Sequence, residues 1–333
     1  MLAQRPFGST GLSITTVGFG AWAIGGGDWA FGWGPQDDLD SLATMRHALE
    51  LGINWIDTAA VYGLGHSEEV VGRLLRELPP SRRPLVFTKG GLPWSEAERM
   101  QEPTPNLHPV SIRRECEASL RRLGVEQIDV YQFHKPDMTG VGVEESWAEM
   151  GRLIDEGKVR FGGVTTFTVD LLDRCERIRH VASLQPRLSL LRRNSAADVI
   201  PWCLEHGTGV IVYSPMQTGI LTDSFSLERV ARMAPDDWRR KGEEFLSPRV
   251  EQNIALRDAL RPVAARHGAT VSAVAVAWTL AWKGVSGAIV GARTPGQVDG
   301  WIGAASRTLT PEDLDEIAAG ISRTGAGKGP ARP

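Results

Sequence analysis

Eight short runs rich in β-branched and aromatic residues, each followed by a stretch of helical periodicity, constrain the fold of this chain more than any other feature. The runs lie at 16–20, 54–57, 85–89, 128–133, 161–164, 182–185, 209–213 and 287–290. Helical patterns lie between them at 38–51, 67–78, 109–123, 144–156, 169–178 and 198–206. Two more, 249–267 and 272–283, precede the eighth run, and 295–304 and 311–321 follow it. In the first of these, Leu42, Met45, Leu49 and Ile53 recur at helical spacing. Gly52, Gly124, Gly157 and Gly207 each stand just past a helical pattern, where a left-handed cap needs glycine. Ser67 is expected to cap the second helix, with Glu68 and Glu69 complementing its dipole. Eight strands, each followed by a crossover, predict a parallel (β/α)8 TIM barrel rather than an open sheet.

Ser9-Thr10-Gly11 predicts an N-terminal β-hairpin ahead of the barrel. The expected organisation is one barrel domain over 1–323, with the Gly/Pro-rich residues 324–333 as a disordered tail. A length of 333 residues suits one α/β barrel with insertions, and 42% hydrophobic content can fill a large core. Lys+Arg 37 against Asp+Glu 40 leaves no basic surplus for nucleic acid and no charge run for an anionic membrane. Cys116, Cys175 and Cys203 are scattered without metal-ligand spacing and read as buried thiols of a reducing compartment, with no metal expected. Residues 1–11 lack the apolar core of a signal peptide. The longest apolar stretch, 269–281, is interrupted by Ser272 and Thr279 and is too short to span a bilayer. The expectation is a cytoplasmic protein with no membrane or nucleic-acid partner; its oligomeric partner is not set by the sequence.

Two stretches exceed ordinary loop length. Residues 25–34 (GGGDWAFGWG) follow the first run, and residues 214–247 follow the seventh. Long loops in a compact domain are usually functional lids or disordered, and both belong at the C-terminal face of a barrel, where barrel enzymes keep their sites.

Four polar residues converge on that face: Asp57, Lys89 and His134 at strand ends, and Tyr62 five residues past Asp57. A phenol has a pKa of about 10, so Tyr62 is a weak acid near neutrality. Lowering it by about 3 units takes about 4 kcal/mol, which a cation at roughly 4 Å supplies at an effective dielectric near 20. Lys89 is the candidate cation, Asp57 the counter-ion that keeps it charged, and His134 the group that orients a substrate oxygen.

The motifs around these residues resemble the aldo-keto reductase family. GINWIDTAAVYGLGHSEE at 52–69 looks like the family signature around its catalytic Asp and Tyr. FTKGG at 87–91 looks like the segment of its Lys, and YQFHKPD at 131–137 like that of its His. The resemblance runs from about Phe7 to Ile321. It implies a catalytic set of Asp57, Tyr62, Lys89 and His134, and hydride transfer from NADPH to the carbonyl of an aldehyde or ketone. The same four residues also serve an NADP-dependent alcohol dehydrogenase working in reverse, or an NADPH-binding regulatory or sensor subunit with little turnover.

A Rossmann reading fails on mechanism. GFGAWA at 18–23 formally fits G-x-G-x-x-A, but the motif needs a helix N-terminus next, and Gly25-Gly26-Gly27-Asp28 follows instead. The family resemblance instead implies a cofactor across the barrel mouth, held by Gly20, Trp22, Thr165, Gln185, Tyr213, Ser214, Met216, Gly219, Leu221, Gly291, Arg293 and Gln297. Gln185 would hold the carboxamide, Tyr213 would stack on the nicotinamide, and the segment from Ser214 would drape over the pyrophosphate. Thr294 as N-cap and Pro295 at the first helical position make a helix start beside Arg293, a natural phosphate site. In the family that segment grips the 2′-phosphate, which implies NADPH rather than NADH. Three places depart from the family pattern: Thr165-Thr166 where Ser-Asn is common, Pro186-Arg187-Leu188 where a Tyr follows the Gln, and Gly300-Trp301 where Glu-Asn is common. Trp22, Trp29, Trp33, Trp94 and parts of the 214–247 loop are the expected substrate walls, suiting a bulky apolar carbonyl compound, while Trp238 has core packing as its alternative.

Overall fold

Successive side chains on a strand point to opposite faces, so each of the eight runs must supply two surfaces at once. The computed structural model describes residues 2–234 and 237–333. An antiparallel pair, β1 (Gln4–Pro6) and β2 (Ser13–Thr15), comes first. Eight parallel strands follow: β3 (Val17–Gly20), β4 (Trp55–Asp57), β5 (Leu85–Gly90), β6 (Ile128–Phe133), β7 (Val159–Thr165), β8 (Ser183–Gln185), β9 (Gly209–Val212) and β10 (Val285–Gly291). They pair in chain order, and β10 closes onto β3. The fold is the expected (β/α)8 barrel with its hairpin.

The helices are α1 (Asp38–Glu50), α2 (His66–Glu77), α3 (Pro109–Leu123), α4 (Val143–Asp155), α5 (Val169–Glu176), α6 (Val199–His206), α7 (Leu227–Ala231), α8 (Arg249–Ala259), α9 (Arg261–Arg266), α10 (Val271–Leu280), α11 (Pro295–Ile302) and α12 (Pro311–Thr324). Among the described residues, no helix is long and apolar enough to cross a membrane.

The barrel interior is stratified. Phe7, Leu12 and Ile14 from the hairpin region pack with Trp55, Phe87, Val130, Ile211 and Ile289 into an apolar plug at the lower end. Two residues further along the same strands, the same inward face becomes polar: Asp57 follows Trp55, Lys89 follows Phe87 and Gln132 follows Val130. The plug leaves no room for side chains on its glycine neighbours. A Cβ on Gly18 would lie 2.1 Å from the Trp55 ring. The site therefore rests on a floor of close-packed aromatic and aliphatic groups.

Three local expectations need correction. The helix expected over 249–267 is two helices, α8 and α9, because Pro262 lacks an N–H and its ring crowds the carbonyl four residues earlier. Ser67 does not cap α2, whose N-cap is Gly65; the Ser67 hydroxyl instead bonds Thr58 Oγ1 (2.9 Å) and Ala21 O (2.8 Å). The tail expected to be disordered is docked. Arg193, itself buried, donates to the carbonyls of Leu190, Ala326 and Gly329, and its backbone N–H donates to Lys328 O at 2.9 Å. The glycines that suggested looseness permit this approach: a Cβ on Gly327 or Gly329 would lie 2.5 Å from the backbone of Leu191 or Arg193.

Candidate active site

The strand ends bring Asp57, Lys89, Tyr62 and His134 together. Lys89 has three ammonium protons and three acceptors: Asp57 Oδ2 at 2.6 Å, Thr58 O at 2.8 Å and Tyr62 Oη at 3.4 Å. The Lys89–Asp57 pair is almost wholly shielded, at 0% and 3% side-chain exposure. Asp57 Oδ1 accepts from Gln185 Nε2 at 2.8 Å, so both carboxylate oxygens are engaged. The His134 ring meets the Tyr62 ring edge-on, centroids 5.6 Å apart, and its Nδ1 is buried without a partner among the described residues.

Tyr62 sits on a short turn that only glycine could complete. Gly63 and Leu64 both have positive φ (60° and 55°), and a Cβ on Gly63 would lie 2.1 Å from Gly25 O. The tyrosine turn and the glycine-rich loop after β3 thus lock against each other through two glycines.

The electrostatics differ from the sequence expectation at one point. Burial pushes the Tyr62 phenol well above its usual pKa, and the charges of Asp57 and Tyr213 add to that; the phenol is a held acid rather than one lowered toward neutrality. Burial raises the Asp57 carboxyl and lowers the Lys89 ammonium, while each opposes the shift in the other. Burial also drives His134 well below its usual pKa, and the Lys89 and Lys135 charges act the same way, so its ring is neutral.

Above these residues opens a cavity of about 730 Å3. Asp57, Tyr62 and His134 line it, while Lys89 lies behind them, reaching the cavity through Tyr62. Gly20, Trp22, Thr165, Gln185, Tyr213, Ser214, Met216, Gly219, Gly291, Arg293 and Gln297 line it too. Leu221 does not: it is fully buried in the hydrophobic core behind the loop. Gln185 presents its amide to Asp57, and the Thr165 hydroxyl donates to His134 O, so both are committed within the protein. The cavity runs from the tyrosine to the start of α11, and the segment Ser214–Gly219 along it carries positive φ at Ser214, Gln217 and Thr218. Its length, its glycine-lined edges at Gly20, Gly219 and Gly291, and an arginine at a helix start suit an extended dinucleotide.

A model of the aldo/keto reductase family matches residues 16–321. The chain belongs to that family. It is similar to aldo-keto reductase YhdN of Bacillus subtilis, 33% identical over 95% of this chain and 92% of that protein. It is similar also to the NADH-specific methylglyoxal reductase of Escherichia coli, 31% identical over 97% of this chain and all of the relative. Among solved structures, the glycerol dehydrogenase AKR11B4 of Gluconobacter oxydans superposes with a TM-score of 0.88 at 36% identity, over 98% of this chain and 97% of that one. This aldo-keto reductase is an oxidoreductase of carbonyl compounds that works with a nicotinamide cofactor.

The end of the cavity beside Tyr62 is walled by indoles. Trp22 is sandwiched between Tyr62 (centroids 6.0 Å, 21°) and Trp238 (5.4 Å, 24°), and its Nε1 donates to Phe31 O at 3.1 Å. Trp29 and Trp33 line the cavity as expected. Trp94 does not line it; it bonds Glu96 through Nε1 and lies under the Arg122 guanidinium. Trp238 is a wall rather than core, and Phe31 and Arg239 join it, while Trp301 lines the far end of the cavity from α11. Sequence reasoning did not single out Phe31 and Arg239, because they sit on irregular segments, where no periodicity says which way a side chain turns. The one available signal was the aromatic density of the long loops themselves.

Proposed function

We propose that this reductase converts a bulky, largely apolar aldehyde or ketone to its alcohol with NADPH, and that Tyr62 is the general acid. The observation that carries this is the Lys89 ammonium, which donates to Asp57, to Thr58 O and to the Tyr62 oxygen. With its oxygen accepting from behind, Tyr62 keeps its own proton for a ligand in the cavity. A carbonyl oxygen there would take that proton, while the positive charge behind stabilises the phenolate left on Tyr62. Asp57 keeps the ammonium charged and fixed. Neutral His134 orients the carbonyl oxygen by hydrogen bond. Bound across the mouth, the reduced nicotinamide supplies the hydride. Tyr213 and Trp22 would flank its reacting end, and the segment Ser214–Gly219 would hold its phosphates.

The preference for NADPH rests on this chain's own residues, since the Escherichia coli relative is named for NADH. Arg293 stands immediately before α11, whose N-cap is Thr294 and whose first residue is Pro295, so a 2′-phosphate here would meet a guanidinium and a helix start. The indole walls suit an apolar substrate.

The test is decay of reduced-cofactor absorbance with aromatic aldehydes and cyclic ketones, for the native protein and for Tyr62→Phe. Removing the acid should lower kcat by roughly 10²–10⁴-fold with cofactor affinity unchanged. A Tyr62→Phe variant that keeps its turnover would end the assignment.

A further inference from the structure

Arg293 has a second set of partners. Its Nε donates to Gln36 Oε1 at 2.7 Å, Nη1 to Trp33 O at 3.2 Å, and Nη2 to Pro35 O. Gln36 Nε2 donates back to Arg293 O at 3.1 Å, making the contact reciprocal. On its other side, the Arg293 backbone N–H donates to Gln297 Oε1 at 2.8 Å. The guanidinium therefore clips the end of the tryptophan loop, which supplies Trp29 and Trp33 to the cavity, to the segment where the adenosine phosphate is expected.

A guanidinium grips a phosphate best through two parallel N–H bonds. It has only one Nε–H, and Gln36 holds it. With Nη1 and Nη2 each giving a proton to a loop carbonyl, the Nε edge of the fork is closed to a phosphate while the loop is clipped. We propose that Gln36 is a specificity-determining residue: it competes with the 2′-phosphate of NADPH for Arg293, holds the preference for NADPH down, and makes NADPH binding release the tryptophan loop. This rests on the reading of Arg293 as the phosphate site. NADH, which lacks that phosphate, leaves the clip closed.

The two cofactors therefore respond differently to one position. Gln36→Ala frees the Nε–H, and the Kd for NADPH should fall about fivefold to tenfold, a hydrogen bond's worth, with NADH within about twofold. Gln36→Glu puts a carboxylate against the guanidinium and near the phosphate, and the Kd for NADPH should rise about tenfold, with NADH again nearly unchanged. In an Arg293→Ala background neither substitution should alter the ratio. Titration of tryptophan fluorescence with NADPH and with NADH reads all of these. If Arg293→Ala weakens both cofactors equally, the phosphate reading fails and the competition with it. If Arg293→Ala selectively weakens NADPH but Gln36→Ala leaves the ratio unchanged, lowers it, or weakens both cofactors together, the competition alone is refuted.

Discussion

The two ends of the barrel handle left-handed backbone in opposite ways. At the lower end, where helices return to strands, the positive-φ positions are glycines: Gly52, Gly124, Gly157, Gly207 and Gly284, with φ from 68° to 102°. At the upper end, Asp28, Leu64, Thr166, Ser214, Gln217 and Thr218 adopt φ between 46° and 58° with side chains in place. Among the described residues, every non-glycine of positive φ lies on a loop leaving the C-terminal end of a strand. An L-residue in this region costs about 1–2 kcal/mol, more when it is β-branched, so the lower end is built for stability and the upper end carries strain. Thr166, Ser214 and Thr218 line the cavity, and Leu64 follows the tyrosine turn, so the strain coincides with the site.

The sharpest way to test that division is to alter the upper end where its chemistry is densest. Lys89→Met should abolish measurable carbonyl reduction, a loss of roughly 10²–10⁴-fold or more, because the phenolate loses its cation. It should also cost about 3–5 kcal/mol of stability, since Asp57 is left buried and unpaired. Paired with it is the pH profile of the native protein. With Tyr62 as the proposed acid, reduction would need the protonated phenol, and burial raises its pKa, so the rate should stay level through neutrality and fall only on the alkaline side, in a limb that belongs to Tyr62 and Lys89 jointly. His134 is already neutral, so no acid limb should appear near the ordinary histidine pKa of about 6.5. A clear acid limb there would assign His134 a charged role and overturn this account of the site.

The complementary experiment alters the lower end. Gly18→Ala drives a methyl against the Trp55 ring, 2.1 Å away before any relaxation, and overpacking of this kind costs about 1–3 kcal/mol. Thermal unfolding should register the loss while the Kd for the cofactor, measured well below the transition, holds. If Gly18→Ala weakened cofactor binding as much as stability, the plug and the site would be one coupled unit and the contrast between the two ends would disappear.

The same contrast explains what was legible in the sequence. The floor of the site was: Asp57, Lys89 and His134 were each read at a strand end, where a barrel delivers residues to its active face. Tyr62 was readable from its offset past Asp57, although its proton-holding state was not, because desolvation depends on how the loops close over it. The rim was read less well. Leu221 and Trp94 have the composition of lining residues yet turn away, and Trp238 folds back from a loop with no periodic pattern to announce it. The Arg193 clasp on the tail and the Gln36–Arg293 contact join residues 133 to 257 positions apart, a separation that no local pattern encodes.

The smallest expected effect isolates strain from chemistry. Thr166 is β-branched, has φ 57°, and spends its hydroxyl on the carbonyl of Thr165 at 2.7 Å. Asparagine tolerates the left-handed region better than any other residue except glycine, so Thr166→Asn should relieve about 1 kcal/mol and raise Tm by about 2 °C. Thr166 also faces the cavity, and its replacement adds an amide to the stretch beside the expected nicotinamide, so cofactor affinity should hold or improve. The equivalent exchange at the lower end, Gly157→Asn, substitutes a residue into a site where φ is 75° and glycine already bears no strain, and should lower stability by a few tenths of a kcal/mol or more. Opposite signs at the two ends would tie the strain to the functional face, whereas a destabilised Thr166→Asn would mean that the surrounding loop, not the backbone angle, determines what this position accepts.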